Sequence, residues 1–368
     1  MPSGATQTVP AQATTFTETA ADLLGVEEFS PVAEFVVALV GAALIATILL
    51  GVVGLSAVWL KRKLNARFGD RIAVNRVGPF GLFILFADSI KLLSKEVVVP
   101  DGADRLSYSL APILAATFVI AAFAFIPFGS GLQVADPETG LVFALAFASL
   151  SAIPIVMAGY ASNSKYSFIG FEREVAQAIA YEIPLVVSAI TIVPLVAIFA
   201  DTTSPLRMSE IVAAQQGPLF GIEWMPIPNW FIFAQPLAAA LFLISIFAEF
   251  SRNPFDLPEA GSELVAGYLT EYGGVNFVLL FLAEFAAIFF GAALFTALFL
   301  GGGAGPLLPA FVWFLIKMML FYLVVQWLRA TIPRVRIDQL LNLGWKYLLE
   351  LTFLNLLLTA GVLWLMIA

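Results

Sequence analysis

The chain has 368 residues, 61% of them hydrophobic and only 12% charged, with a formal net charge of −8. Ordinary soluble domains are roughly 45–50% apolar and ~25% charged, so 18 basic and 26 acidic side chains cannot clothe an aqueous exterior, and lipid is the main solvent. The acidic balance excludes a general nucleic-acid binder, and the absence of Cys and His excludes disulfides, thiolate chemistry, haem and zinc centres with their usual ligands, Cys-bound iron–sulfur clusters and histidine acid–base catalysis.

Residues 1–34 form a polar, acidic lead-in. Glu18, Asp22, Glu27, Glu28 and Glu34 stand there without one Lys or Arg, unlike a secretory signal, whose start is basic. Residues 35–368 read as a single membrane domain. Eight runs approach the roughly 20 apolar residues a helix needs to cross lipid: 35–60, 109–127, 141–160, 176–200, 232–250, 276–299, 307–328 and 348–367. An open strand could not satisfy its backbone in lipid, and the alternation of a barrel is missing. The fold class is therefore all-α, a polytopic bundle of about eight transmembrane helices. Loops 61–108, 161–175, 251–275 and 329–347 hold 16 of the 18 Lys and Arg residues, which places these loops in the cytoplasm and both termini outside.

In the first of these loops, Gly78-Pro79-Phe80-Gly81 is a turn that opens an amphipathic stretch. Leu82, Leu85, Phe86, Ser89, Leu92 and Leu93 fall near one face, with Asp88, Lys91 and Lys95 near another. It reads either as an interfacial anchor helix or as a doorway for an amphiphilic ligand, with Arg76 and Asp88 near the polar head. Glu172, Arg173 and Glu174 open the next helix, where acids suit the helix dipole, and read as structural. Glu182 differs, because it sits in an apolar run just before Pro184, and an ionisable group inside a span is costly unless paired or hydrated.

Loop 251–275 follows Glu249 and carries Asp256, Glu259, Glu263 and Glu271, with Arg252 as its only base. The bland reading is a solvated acidic face. Against it, the carboxylates alternate with Pro, Phe, Leu and Val, and crowded carboxylates raise one another's pKa, which suits a proton relay. Glu284 and Lys317 are single charges in mid-span. They either pair with each other or line a polar path with Glu182 and the acidic loop. The last loop offers Arg329, Arg334, Arg336, Asp338 and Lys346 for docking a partner or a lipid phosphate.

Ordered blocks then carry a resemblance over most of the chain: NRVGPFG (75–81), ADSIKLLSKE (87–96), ADRLSYSLAP (103–112), SNSKYS (162–167), AQAIAYE (176–182), NPFDLPEAGSELVAGYLTEYGG (253–274), GPLLPAFVWFLIK (305–317) and RATIPRVRIDQLLNLGWK (329–346). In these blocks the chain resembles the quinone-site membrane subunit of respiratory complex I (NADH–quinone oxidoreductase), its H subunit. The resemblance implies a multi-pass helical heel in the cell membrane that forms much of a quinone tunnel and helps convert quinone reduction into proton translocation. Quinone, either ubiquinone or menaquinone, would be the substrate. No cofactor or metal would be held by this chain, the iron–sulfur cluster lying on a partner, and the isolated chain would be inactive. Partners would be the hydrophilic-arm and small membrane-arm subunits of complex I, together with quinone and membrane lipid.

The same resemblance assigns Arg71, Arg76, Asp88, Lys91 and Arg252 to the quinone mouth and tunnel. It assigns Glu182, Glu249, Asp256, Glu259, Glu263, Glu271, Glu284 and Lys317 to the proton path and coupling. The chain departs from the family at several places. Ala73-Val74 stand where many relatives have Gly-Pro, Gly261 where many have Glu, and Ser251 where many have Asn. Glu172 and Glu174 occupy positions that are often apolar or small, and no role is transferred to them. The alternative reading is the membrane subunit of a related energy-converting hydrogenase; a stand-alone transporter and a purely structural anchor are the remaining rivals.

Overall fold

The structure, a computed structural model, describes residues 15–24, 59–129, 131–200, 202–216, 229–305 and 308–367, with scattered positions between 30 and 51. In chain order the helices are α1 (Phe16–Leu24), α2 (Lys61–Phe68), α3 (Ile84–Leu93), α4 (Arg105–Phe123), α5 (Gly140–Leu150), α6 (Ala152–Ala161), α7 (Lys165–Ile190), α8 (Val193–Phe199), α9 (Met208–Ala213), α10 (Phe231–Ala234), α11 (Pro236–Glu249), α12 (Gly274–Phe299), α13 (Ala310–Thr331), α14 (Ile337–Asn342) and α15 (Leu349–Ile367). Among the described residues there is no strand.

Among the described residues, six segments are long and apolar enough to cross a membrane: Arg105–Phe123, Gly140–Ala161, Lys165–Phe199, Gly274–Phe299, Ala310–Thr331 and Ile337–Leu365. They coincide with six of the eight runs read from the sequence. The run 232–250 holds the shorter apolar helix α11, whose 14 residues follow a break from helical backbone at Gln235. The run 35–60 and the acidic lead-in lie mostly outside the described residues. The amphipathic stretch does form a helix, α3, and none of its residues is buried.

Helix α12 is the central pillar. A helix that is apolar all round belongs in an interior, and from Phe285 to Phe299 every residue except Ala287 is buried. It packs along α4 and α13, while α7 runs beside α11 and α6. Phe289 stacks on Tyr322 of α13 with ring centres 4.7 Å apart, one of several aromatic contacts along this pillar.

The connections gather at two opposite ends. At one end, Asp104 N–H donates to Ala161 O (3.1 Å), Ser167 Oγ to Gly267 O (3.2 Å), Tyr108 Oη to Glu271 O (2.7 Å) and Val335 N–H to Pro254 O (3.1 Å). These bonds join all four basic loops. At the other end, Phe16 N–H donates to Gln133 O (2.8 Å), Leu141 N–H to Leu206 O (3.0 Å) and Gln215 Nε2 to Ala297 O (2.9 Å). The four loops that hold most of the Lys and Arg residues are thus hydrogen-bonded to one another.

Close backbone approach fixes one helix crossing. Pro184 has no N–H, so the Ala180 carbonyl in α7 lacks its helical donor. The chain between α14 and α15 winds as a π-helix, Leu343–Leu348, and brings Gly344 against that carbonyl. A Cβ on Gly344 would stand 2.9 Å from Ala180 O, and Tyr181 Oη donates to Leu340 O at 3.1 Å beside it. Gly344→Val is expected to destabilise the protein by about 2 kcal/mol through overpacking, read as a lowered Tm of the purified protein; an unchanged Tm would show that the two helices can separate freely.

Candidate functional site

The loop after α11 is folded back into the bundle by its own local chemistry. Gln177 of α7 donates Nε2 to the Ala248 carbonyl (2.5 Å) and to Ser251 Oγ (3.1 Å), and the same carbonyl accepts the Ser251 N–H (3.0 Å), so the end of α11 is tied both to its own turn and to α7. Ser251 then turns the chain with φ +46°. Further on, Gly267 takes φ +55°, where a Cβ would lie 1.7 Å from Pro258 O, so only glycine allows this close return. Ring stacking of Tyr108 on Tyr272, with centres 4.2 Å apart, closes the loop against the start of α4.

These constraints carry Arg252 inward, to 3% side-chain exposure. Its Nη2 pairs with Glu284 of α12, its Nη1 lies 4.0 Å from Glu259 Oε2, and its guanidinium carbon sits 4.7 Å from the ring centre of Phe285. Lys61 Nζ lies over the same ring at 4.4 Å. Burial works against the Arg252 charge, but the carboxylates of Glu284, Glu259 and Asp256 outweigh it and push its pKa above the ordinary arginine value. Burial and the Glu284 charge push Glu259 well above the usual carboxylate range, against the pull of Arg252. Burial, then the Arg252 and Arg329 charges, pull Lys61 down to about 7.

Beside this pair lies a cavity of about 50 Å³, which has room for about three waters. Four carboxyl groups line it, those of Glu174, Glu249, Glu259 and Glu284, together with Tyr268, Ser251 and apolar groups from α4, α6 and α12. Glu249 Oε2 and Glu284 Oε2 are buried and accept no hydrogen bond from the protein. Three carboxylates singled out in the sequence, Glu249, Glu259 and Glu284, therefore share one cavity although they come from α11, the loop and α12.

The other sequence candidates sit around it or apart. Asp256 pairs with Arg334 at 3.4 Å, and burial raises its pKa in spite of that partner. Glu263 is exposed, and its hydrogen bond from Arg173 (2.6 Å) holds it below the usual range. Glu271 meets Tyr108 through its backbone carbonyl. Glu182 is partly buried on α7 and is not among the residues that line the cavity. Arg71, Arg76 and Lys91 are exposed, and Asp88 pairs with Arg62 at 2.7 Å.

Lys317 does not pair with Glu284, which Arg252 has claimed. Its ammonium donates to three carbonyls of the turn after α12, those of Leu300 (2.6 Å), Gly302 (2.8 Å) and Ala304 (2.8 Å), and lies 4.6 Å from the Trp230 ring centre. It is absent from the cavity lining.

Sequence reasoning missed Glu174, Tyr268 and Lys61. Glu174 shares a helix face with Gln177 and Tyr181, the i, i+3, i+7 spacing of a buried stripe. Its neighbours Glu172 and Arg173 masked that signal, since both are polar and Arg173 turns outward to Glu263.

Removing Arg252 leaves Glu284 as a buried, uncompensated charge. Arg252→Met is expected to destabilise by about 3–5 kcal/mol. The double variant Arg252→Met with Glu284→Leu recovers most of that loss, measured by thermal unfolding of the purified protein; equal losses in single and double variants would deny the coupling.

Residues 40–360 match the family model described as NADH dehydrogenase. The chain is 47% identical to an H subunit of NADH-quinone oxidoreductase from Geobacter sulfurreducens, over 83% of this chain and 90% of that one. It is 45% identical to the H subunit of the Dehalococcoides mccartyi NADH-quinone oxidoreductase, over 82% and 80%, and 44% identical to that of Thermomicrobium roseum, over 88% and 95%. The chain belongs to the NADH dehydrogenase family.

Proposed function

We propose, from the chain's membership of the NADH dehydrogenase family, that it is the quinone-site membrane subunit of a proton-translocating NADH–quinone oxidoreductase. The relatives' names favour this reading over a hydrogenase subunit. The chain supplies position, electrostatics and proton paths, and partners supply the electrons. With neither Cys nor His, it has no ligands of the usual kind for an iron–sulfur cluster, which fits a cluster held by a neighbouring subunit. Quinone is a substrate that arrives by diffusion through lipid.

The reading assigns Arg71, Arg76, Asp88 and Lys91, on and before the exposed helix α3, to the mouth through which the quinone enters. Arg252 lies deeper, at the head of the acid-lined cavity. The reaction adds two electrons and two protons to the quinone to give the quinol. Electrons arriving ahead of protons leave negative charge near the loop, and that charge favours protonation of nearby carboxyls. Asp256 and Glu259, already displaced upward by burial, are poised to respond. Glu249, Glu284 and Glu182 continue the path into the bundle, and Glu263 and Glu271 flank it. Lys317 belongs to the coupling machinery at the far end of α12. The observation that carries the reading is the convergence of Glu249, Glu259 and Glu284 on one cavity beside the buried Arg252.

Glu249→Gln keeps the side chain's size and removes its ability to exchange a proton. In the assembled complex it is expected to lower NADH–quinone turnover and coupled proton uptake by about tenfold or more. NADH oxidation by a water-soluble acceptor should stay at the parent level. Full quinone turnover and pumping in this variant would sink the proton-path reading.

A further inference from the structure

Glu174 is the one cavity carboxyl that sequence reasoning leaves without a functional role. It is 4% exposed, on the face of α7 that meets the end of α11. Ser251 Oγ donates to its Oε2 at 2.7 Å, and Gln177 Nε2 donates to that same Ser251 oxygen at 3.1 Å. Among the described residues it has no ion pair. Glu284 and Glu263 are each held by an arginine, Arg252 and Arg173 respectively. Nothing comparable pins Glu174 as an anion, and a hydroxyl can serve either protonation state of a carboxyl by rotating its hydrogen.

We propose that Glu174 is a proton-exchanging residue of the same cavity, linking the loop carboxyl Glu259 to Glu249 at the end of α11. The proposal rests on the reading of the cavity as a proton path. Carboxyls on separate elements surround a space with room for about three waters, so a proton can pass between them through water without a direct contact. Three of the groups are anchored on helices α7, α11 and α12, and only Glu259 rides on the loop. Glu174 therefore gives the loop acid a counterpart on a helix. It also bears on the loop's composition. Gly261 places no carboxyl between Glu259 and Glu263; Glu174 supplies one from across the cavity instead.

The test uses the complete complex in membrane vesicles and compares Glu174→Gln, Glu174→Asp and Glu249→Gln. Gln at 174 still accepts the Ser251 hydrogen bond, so the Tm of the complex should not move. Quinone turnover with coupled proton uptake is expected to fall about tenfold. Asp, an acid one methylene shorter, should keep at least about half of the parent rate. Redox-induced infrared difference spectra should show a carboxyl band that shifts in the Asp variant. Parent rates in Glu174→Gln beside impaired Glu249→Gln would overturn the role of Glu174 and leave the cavity reading standing. Parent rates in both would bring down the cavity reading itself. Equal loss in the Gln and Asp variants, or an infrared spectrum untouched by the Asp substitution, also overturns the proposal, because a structural contact alone explains such results.

Discussion

The ion pair between Arg252 and Glu284 ties an irregular loop to the most buried helix of the bundle. Two charges in such surroundings lose several kcal/mol of hydration each, roughly, and they persist only with good geometry and further partners. Those partners are present in the nearby carboxylate of Glu259 and the face of Phe285. Everything around the cavity depends on this arrangement. Arg252 draws the loop inward, the loop brings Glu259 to the wall, and the inward chain leaves the end of α11 exposed to Gln177 and Ser251. A loop satisfied by water would have no reason to enter the bundle at all.

The same chemistry explains why backbone geometry is so constrained there. Ser251 and Val265 take positive φ, Gly267 returns against Pro258, and Tyr108 and Tyr272 stack to close the ring. Each device shortens the loop without a regular element. They all lie at the end of the molecule where the basic loops meet, so charge, strain and close packing occur together. That combination is what a site needs if it is to hold a polar head at the edge of lipid while guiding protons away from it.

Much of the fold was legible in the sequence because a bilayer imposes a coarse rule of length and apolarity. Six runs matched helices for that reason. The run 232–250 was harder, since hydropathy does not register the break at Gln235 that leaves a helix of only 14 residues. The site was half legible. Glu249, Glu259 and Glu284 stood out as acids among apolar neighbours. Glu174 did not, because its local window is polar and only the packing of α7 on α11 buries it. The pairing left open between Glu284 and Lys317 went elsewhere, because helix adjacency in sequence says nothing about height along the membrane normal. Arg252, from a loop, reached Glu284 first, and Lys317 found carbonyls near the other end of α12.

That last arrangement has a consequence for polarity. Lys317 reaches three carbonyls at once, one for each N–H of an ammonium. That basic group sits beyond fifteen residues of pillar that are almost wholly buried, from Phe285 to Phe299. Apart from Thr296, that stretch of helix presents only apolar side chains and one glycine. The bundle is therefore polarised along its length, acidic where the loops converge and basic near the opposite end of α12.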